Sequence, residues 1–237
     1  MGREKISLDQ GWRFHYGDIT FQRNRWGWAK SGAWRRGPEG RDYDDSEWEV
    51  VSLPHDFVIA TQPQPYAGED DDPDSLPVKE EVENFNDNHI PAGFFSREVG
   101  WYHTMYGSFQ KEVGWYRRHI SIPEEYRGRK LYLVFEGIFR DSRIWLNDYY
   151  IGGERSGYKQ IVLDITDVVN YGGDNLLSVR ADAREAEGWF YEGGGIYRHA
   201  YLLVTAREHV ESLFVHSRVD MEKESAEVSV ETELPGE

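Results

Sequence analysis

Lys130-Leu131-Tyr132-Leu133-Val134-Phe135 is apolar at nearly every position and runs directly into Glu136-Gly137. A short apolar run closed by a turn signal reads as a strand buried on both faces. On either side of it the chain alternates with a period of two. Ile161-Val162-Leu163-Asp164-Ile165 sets Ile161, Leu163 and Ile165 on one face, and Leu176-Leu177-Ser178-Val179-Arg180-Ala181 does the same for Leu177, Val179 and Ala181. Val228-Ser229-Val230-Glu231-Thr232-Glu233-Leu234 alternates more cleanly still. Gly152-Gly153, Tyr171-Gly172-Gly173-Asp174 and Gly193-Gly194-Gly195 break the runs. Short strands punctuated this often predict an all-β, antiparallel sandwich or barrel. Helix is confined to one turn at Thr166–Asn170.

Composition narrows the function classes. The 237 residues hold nine Trp, fifteen Tyr and eleven Phe, too aromatic for a disordered chain. There is no Cys, which removes disulfides, thiolate nucleophiles and Cys-based zinc sites. No apolar run approaches the ~18 residues of a membrane span. The opening Met-Gly-Arg-Glu-Lys has no apolar segment behind it to make a signal peptide, so a cytoplasmic location with no membrane partner is expected. The net charge of −16 opposes a nucleic-acid partner. That charge is concentrated: −8 lies in Glu69–Asp87 and −7 in Glu208–Glu237, leaving a nearly neutral body suited to a neutral ligand.

Pro63, Pro65, Pro73 and Pro77 with the acidic block make residues 60–90 a long surface loop. Gly93–Tyr102 recurs fourteen residues on as Gly107–Tyr116 with seven of ten positions matching, and only the second copy is expected to continue into a strand, from Trp115 to Ile122. Residues 23–41 form a basic, aromatic insert of net charge +5, with Trp26, Trp28 and Trp34. Such a mixture suits single-stranded nucleic acid or a protein contact. The whole-chain charge favours the contact. The last thirty residues supply two strands, Val210–Val219 and Glu227–Leu234, too few to close a sandwich core.

Four segments, in order, resemble the N-terminal domain of family 2 glycoside hydrolases, the group of β-galactosidases, β-glucuronidases and β-mannosidases. The first is Asp44-Asp45-Ser46-Glu47-Trp48 leading to Leu53-Pro54-His55-Asp56, and the second is Gly114-Trp115-Tyr116-Arg117-Arg118. The third is Phe135-Glu136-Gly137 followed by Trp145-Leu146-Asn147 and Gly152. The fourth, Trp189-Phe190-Tyr191-Glu192-Gly193-Gly194-Gly195-Ile196-Tyr197-Arg198-His199, is most similar to bacterial β-galactosidases. The resemblance implies a galactose-binding-like jelly-roll sandwich over residues 1–207. Residues 208–237 would begin an immunoglobulin-like sandwich. The catalytic (β/α)₈ barrel, which takes ~250 residues, would lie outside this chain. It further implies retaining hydrolysis of a β-galactoside by two barrel carboxylates, a homo-oligomer, and contacts with the protein's own linker and barrel domains. Relatives in the family use Mg²⁺ or Na⁺, but no ligand set here marks a site, so neither cofactor nor metal is assigned to this chain. The rival readings are a free-standing carbohydrate-binding module, or a parent enzyme acting on glucuronides or mannosides.

No residue is assigned a catalytic role. Glu185, Glu187 and Glu192 around Trp189 look superficially like glycosidase carboxylates, but a polar loop on a sandwich accounts for them better. For sugar contact the candidates are Asp56, Arg184, Trp189, Tyr191 and Glu192. Trp189 and Tyr191 offer apolar faces to sugar C–H groups, and Glu192 and Arg184 offer hydrogen bonds to hydroxyls. His55-Asp56 reads first as a local turn held by side-chain to backbone hydrogen bonds, and only second as an acid–base or metal pair. Asp56 is included because the family segment it matches leads toward the active-site face.

Overall fold

The computed structural model describes residues 2–19, 37–60, 112–184 and 192–234, together with the backbone of three short strands between residues 95 and 110. In chain order the strands are β1 (Glu4–Ser7), β2 (Trp12–Tyr16), β3 (Glu49–Val51), β4 (Phe95–Ser96), β5 (Trp101–Thr104), β6 (Gly107–Gln110), β7 (Val113–Ile122) and β8 (Lys130–Phe135). They continue with β9 (Arg143–Leu146), β10 (Tyr149–Gly152), β11 (Ile161–Asp164), β12 (Gly173–Asp182), β13 (Ala200–Thr205), β14 (Ser212–Asp220) and β15 (Ser225–Glu233). One helical turn, α1, covers Phe57–Ala60. Among the described residues no helix is long and apolar enough to cross a membrane.

Two antiparallel sheets form a sandwich. One has the order β1-β13-β8-β11 and the other β10-β9-β12-β7-β2-β3. Central position explains the sequence pattern. β8 lies between β13 and β11 with Leu133 opposite both Leu202 and Leu163. Leu131, Leu133 and Phe135 face the core, while on the other face Val134 is buried and Lys130 and Tyr132 are only half-buried. Leu131, Leu133, Phe135, Leu202 and Val204 pack against Trp12, Tyr116, Ile120, Ile144, Leu146, Leu177 and Val179 from the facing sheet. Each such side chain, buried fully, contributes roughly 1.5–3 kcal/mol. The indole N–H of Trp12 donates to Leu8 O at 2.6 Å, which removes the cost of burying that polar group.

The outer face of the six-stranded sheet is polar yet covered. Arg117 on β7 is 1% exposed and donates to Gly40 O, Tyr43 O and Asp45 Oδ2 at 2.8, 2.8 and 2.6 Å. Ser178 on β12 donates to Pro38 O at 2.7 Å. Residues 37–48 are thereby laid across this face, and Trp48 joins Val113 and Trp115 in a second buried cluster. Arg41, the last cation of the basic insert, donates to Asn147 Oδ1 at 2.8 Å and Asp174 O at 2.7 Å. The end of the insert is therefore bound to its own sandwich. The rest of it, residues 20–36, and the acidic loop lie outside the described residues.

Three sequence expectations change. Thr166–Asn170 is a turn rather than helix, and the one α-helical turn among the described residues is at Phe57–Ala60. β12 begins at Gly173, inside the stretch read as a breaker. The first copy of the Gly-Trp-Tyr repeat also makes a strand: Trp101–Thr104 pairs with Phe95–Ser96 and Gly107–Gln110 in a three-stranded sheet. The second copy enters the six-stranded sheet as a ten-residue strand between β12 and β2.

β14 and β15 pair only with each other among the described residues. In their register Leu213, Val215, Ser217 and Val219 stand opposite Thr232, Val230, Val228 and Ala226, which makes one face apolar. Val215, Val219, Val228 and Val230 are each more than half exposed. An isolated two-stranded unit is marginal in water. Amide exchange is therefore expected to be faster across 212–233 than across β8 in a dilute sample. Equal protection of the two would show that the hairpin belongs to the sandwich core.

Candidate functional site

The described residues that border three other parts of the chain meet at one end of the six-stranded sheet. Tyr16 pairs with Gly114, and Gly114 with Ala181, so β2 ends, β7 begins and β12 ends at the same level. Gly17 N donates to Val113 O at 2.8 Å and Ala183 N to Glu112 O at 3.1 Å. Ile19, Glu112 and Arg184, which border residues 20–36, 61–111 and 185–191, are thus neighbours. Burial, reinforced by the Glu112 charge, pushes the Tyr16 hydroxyl up to about 12.

Asp56 and the triple glycine close this end. Asp56 Oδ1 accepts from Val58 N and Ile59 N at 3.0 and 3.4 Å, capping α1, and from Gly194 N at 3.0 Å. Phe57 N donates back to Gly194 O at 2.9 Å, and His55 N to Ile196 O at 2.8 Å. Gly195 exchanges both backbone hydrogen bonds with Phe139 at 2.6 and 2.8 Å. Glycine is required for steric reasons: a Cβ on Gly194 would stand 2.8 Å from both Phe57 and Val58. His55 Nδ1 lies 2.8 Å from the hydroxyl of Tyr116, which is wholly buried and whose ionisation is pushed far up by that burial.

His55 carries a pH signature. Burial holds its imidazole below the usual value of 6.5, against the pull of the Glu49 and Asp56 charges. A base with a depressed native pKa favours the folded state above its unfolded pKa and loses that contribution as pH falls. Against His55→Asn, which lacks the titration, the stability advantage of the wild type is expected to shrink as pH falls below about 6.5. Urea unfolding of both proteins at pH 7.5 and 5.5 checks this. A gap independent of pH would contradict it.

A chain of charges crosses the same end. Arg180 Nη2 reaches Asp18 Oδ2 at 2.5 Å and Asp182 Oδ2 at 3.2 Å, and Arg184 lies on both oxygens of Asp182 at 2.9 and 2.7 Å. Burial would raise the Asp182 carboxyl, but hydrogen bonds from Arg184 and the charge of Arg180 hold it below its usual range. The same hydrogen bonds raise Arg184. The Trp115 indole donates to Asp18 at 3.1 Å, and its ring stacks on Trp145 at 5.6 Å.

Of the five candidate sugar residues, the structure brings Asp56, Arg184 and Glu192 to this end. Asp56 is engaged with backbone, Arg184 with Asp182, and Glu192 is buried next to the triple glycine. Trp189 and Tyr191 lie outside the described residues. Tyr116 enters the sequence reading only within the Gly-Trp-Tyr repeat and a family-like segment, and Asp18 and Arg180 are not among its site candidates. The spacing Arg180-x-Asp182-x-Arg184, which puts alternating charges on one strand face, was the available signal. Among the described residues no group of three or more His, Asp or Glu side chains is arranged to hold a metal ion.

Residues 102–192 match the glycosyl hydrolase 2 galactose-binding domain-like family. Those residues carry the galactose-binding-like domain of glycoside hydrolase family 2. A β-galactosidase of Thermoanaerobacter pseudethanolicus is 30% identical over 205 residues, 82% of this chain and 22% of that protein. A β-glucuronidase of Formosa agariphila is 22% identical over 83% of this chain and 19% of its own length. The crystal structure of a β-glycosidase from Bacteroides vulgatus superposes with a TM-score of 0.71 at 24% identity over 99% of this chain and 24% of that one, which shows the shared fold. The chain spans about a fifth of the length of these curated relatives. Directly after the matched residues, the Gly-Gly-Gly-Ile-Tyr-Arg motif supplies the turn that Asp56 grips.

Proposed function

We propose that this chain is the non-catalytic N-terminal part of a retaining glycosidase that removes terminal β-galactosides. It buttresses a catalytic barrel and shapes the sugar site at the barrel mouth. The observation carrying this reading is the convergence of Ile19, Glu112, Arg184 and Glu192 at one end of the sandwich. That arrangement suits loops reaching toward a neighbouring domain. The family match and the β-galactosidases among the relatives support the substrate class. In the proposed reaction a carboxylic acid protonates the leaving oxygen, and a carboxylate ~5 Å away attacks the anomeric carbon to give a glycosyl-enzyme that water then opens. Both groups come from the barrel and none of these 237 residues is given either role. Arg184, Trp189, Tyr191 and Glu192 would line the sugar. Linker and barrel domains, and further copies of the protein, would be its partners.

In the full-length protein, Trp189→Ala and Glu192→Ala are expected to raise KM or lower kcat for an aryl β-galactoside by about tenfold, with the sandwich still folded. Wild-type kinetics in both would reduce the loop to scaffold. β-Glucuronidases among the relatives favour a second reading, a uronide substrate. A higher kcat/KM for the aryl β-glucuronide would select it. Turnover by the 237 residues alone would overturn the non-catalytic role. Binding of galactose by this chain alone, in a protein without glycosidase activity, would instead indicate a free-standing binding module.

A further inference from the structure

Asp56 Oδ1 receives three backbone N–H groups, and they belong to two distant parts of the chain. Val58 and Ile59 are its own turn, while Gly194 lies 138 residues away. A capping Asp normally serves only the turn it begins. Here the carboxylate also holds a second turn, and the bonds Phe57 N to Gly194 O and His55 N to Ile196 O run beside it. The fit is close on the other side as well. Gly193 has φ +73°, and a Cβ there would overlap Asp56 Oδ2. Ala60 and Glu192, the borders of residues 61–111 and 185–191, are therefore held through one oxygen atom.

Resting on the reading that this end of the sandwich faces the sugar, we propose that Asp56 is a positioning residue. It joins the 57–60 turn and the 193–195 turn into one unit, so that loosening either turn loosens the other. Its effect on sugar binding passes through the triple glycine. The coupling is a free energy shared between two sites, and such coupling is reciprocal. A change made at Gly193 must then be felt at Val58 and Ile59. A carboxylate that merely capped α1 would leave exchange at Gly194 unchanged when Asp56 is replaced.

Residue-resolved amide exchange on this chain tests the proposal, because local opening is read separately from global unfolding. In Asp56→Ala, exchange at Val58, Ile59 and Gly194 is expected to rise about tenfold, as befits loss of hydrogen bonds to a charged acceptor, with Leu131–Phe135 unchanged. Asp56→Asn, which keeps an oxygen acceptor, should stay within about threefold of the wild type. Gly193→Ala should accelerate Val58 and Ile59 although it leaves their own turn intact. Wild-type rates at Val58 and Ile59 in Gly193→Ala would overturn the coupling, as would uniform acceleration that includes Leu131–Phe135. If Asp56→Ala does not fold, the Gly193→Ala result decides alone. KM of the full-length Gly193→Ala protein separates the two readings. Coupled loosening with unchanged KM keeps the positioning unit and removes its link to the sugar.

Discussion

Arg117→Met is expected to destabilise the sandwich by about 3–5 kcal/mol, the usual cost of removing one member of a buried, hydrogen-bonded ion pair. Methionine fills much of the volume but leaves Gly40 O, Tyr43 O and the Asp45 carboxylate without their donor. Burial lowers the Arg117 pKa despite the Asp45 charge, so the guanidinium is placed at a desolvation cost that its hydrogen bonds must offset. Arg117→Lys should recover little, because a single ammonium cannot span three acceptors arranged around a planar fork. Asp45→Asn should cost less, since that carboxylate is 20% exposed and water can reach it. Urea unfolding gives the free energies, and the melting temperature of Arg117→Met should fall by on the order of 10 °C. A loss below about 1 kcal/mol would mean that residues 37–48 are held on the sheet by contacts other than the guanidinium.

Gly195→Ala is the second large effect, expected at about 3 kcal/mol or more. Gly195 has φ +110°, where a side chain is strained. A Cβ there would overlap the Tyr116 hydroxyl and stand 2.9 Å from His55 O, a backbone atom that cannot turn aside. Tyr116→Phe removes the hydroxyl, so the double variant should lose less than the sum of the two single changes. It should not reach wild type, because the His55 carbonyl contact and the strain persist. Thermal unfolding of the four proteins in the cycle measures the coupling. Additive losses would show that the hydroxyl does not crowd this position.

Much of the sandwich is legible without coordinates. β8 falls on the apolar run with Leu131, Leu133 and Phe135 inward, although its other face is only half-buried at Lys130 and Tyr132, and the Ile161, Leu163 face of β11 is turned inward. Those readings succeed because apolar alternation reports burial directly in a strand. The outer face of the six-stranded sheet was not legible. Arg117 follows Trp115 and Tyr116 at a position that alternation assigns to solvent, yet it is among the most buried side chains in the molecule. Its cover, residues 37–48, lies some seventy residues upstream, and no local pattern encodes that return.

The candidate site divides in the same way. His55-Asp56 was readable as a turn held by side-chain to backbone bonds, because an Asp carboxylate reaches the N–H groups two and three residues on. The triple glycine was readable as a break in the strand pattern. What joined them was tertiary structure. Gly194 reaches the same carboxylate oxygen, and Gly195 fits beneath Tyr116, only after both sheets have packed and brought residues 55 and 195 together. The sequence by itself determined the strands, their buried faces and the family resemblance, all of which rest on short-range periodicity and ordered motifs. The tertiary structure alone decided which polar groups are buried and which ends of the chain meet, because hydrogen bonds between segments seventy or more residues apart depend on packing that no local window contains.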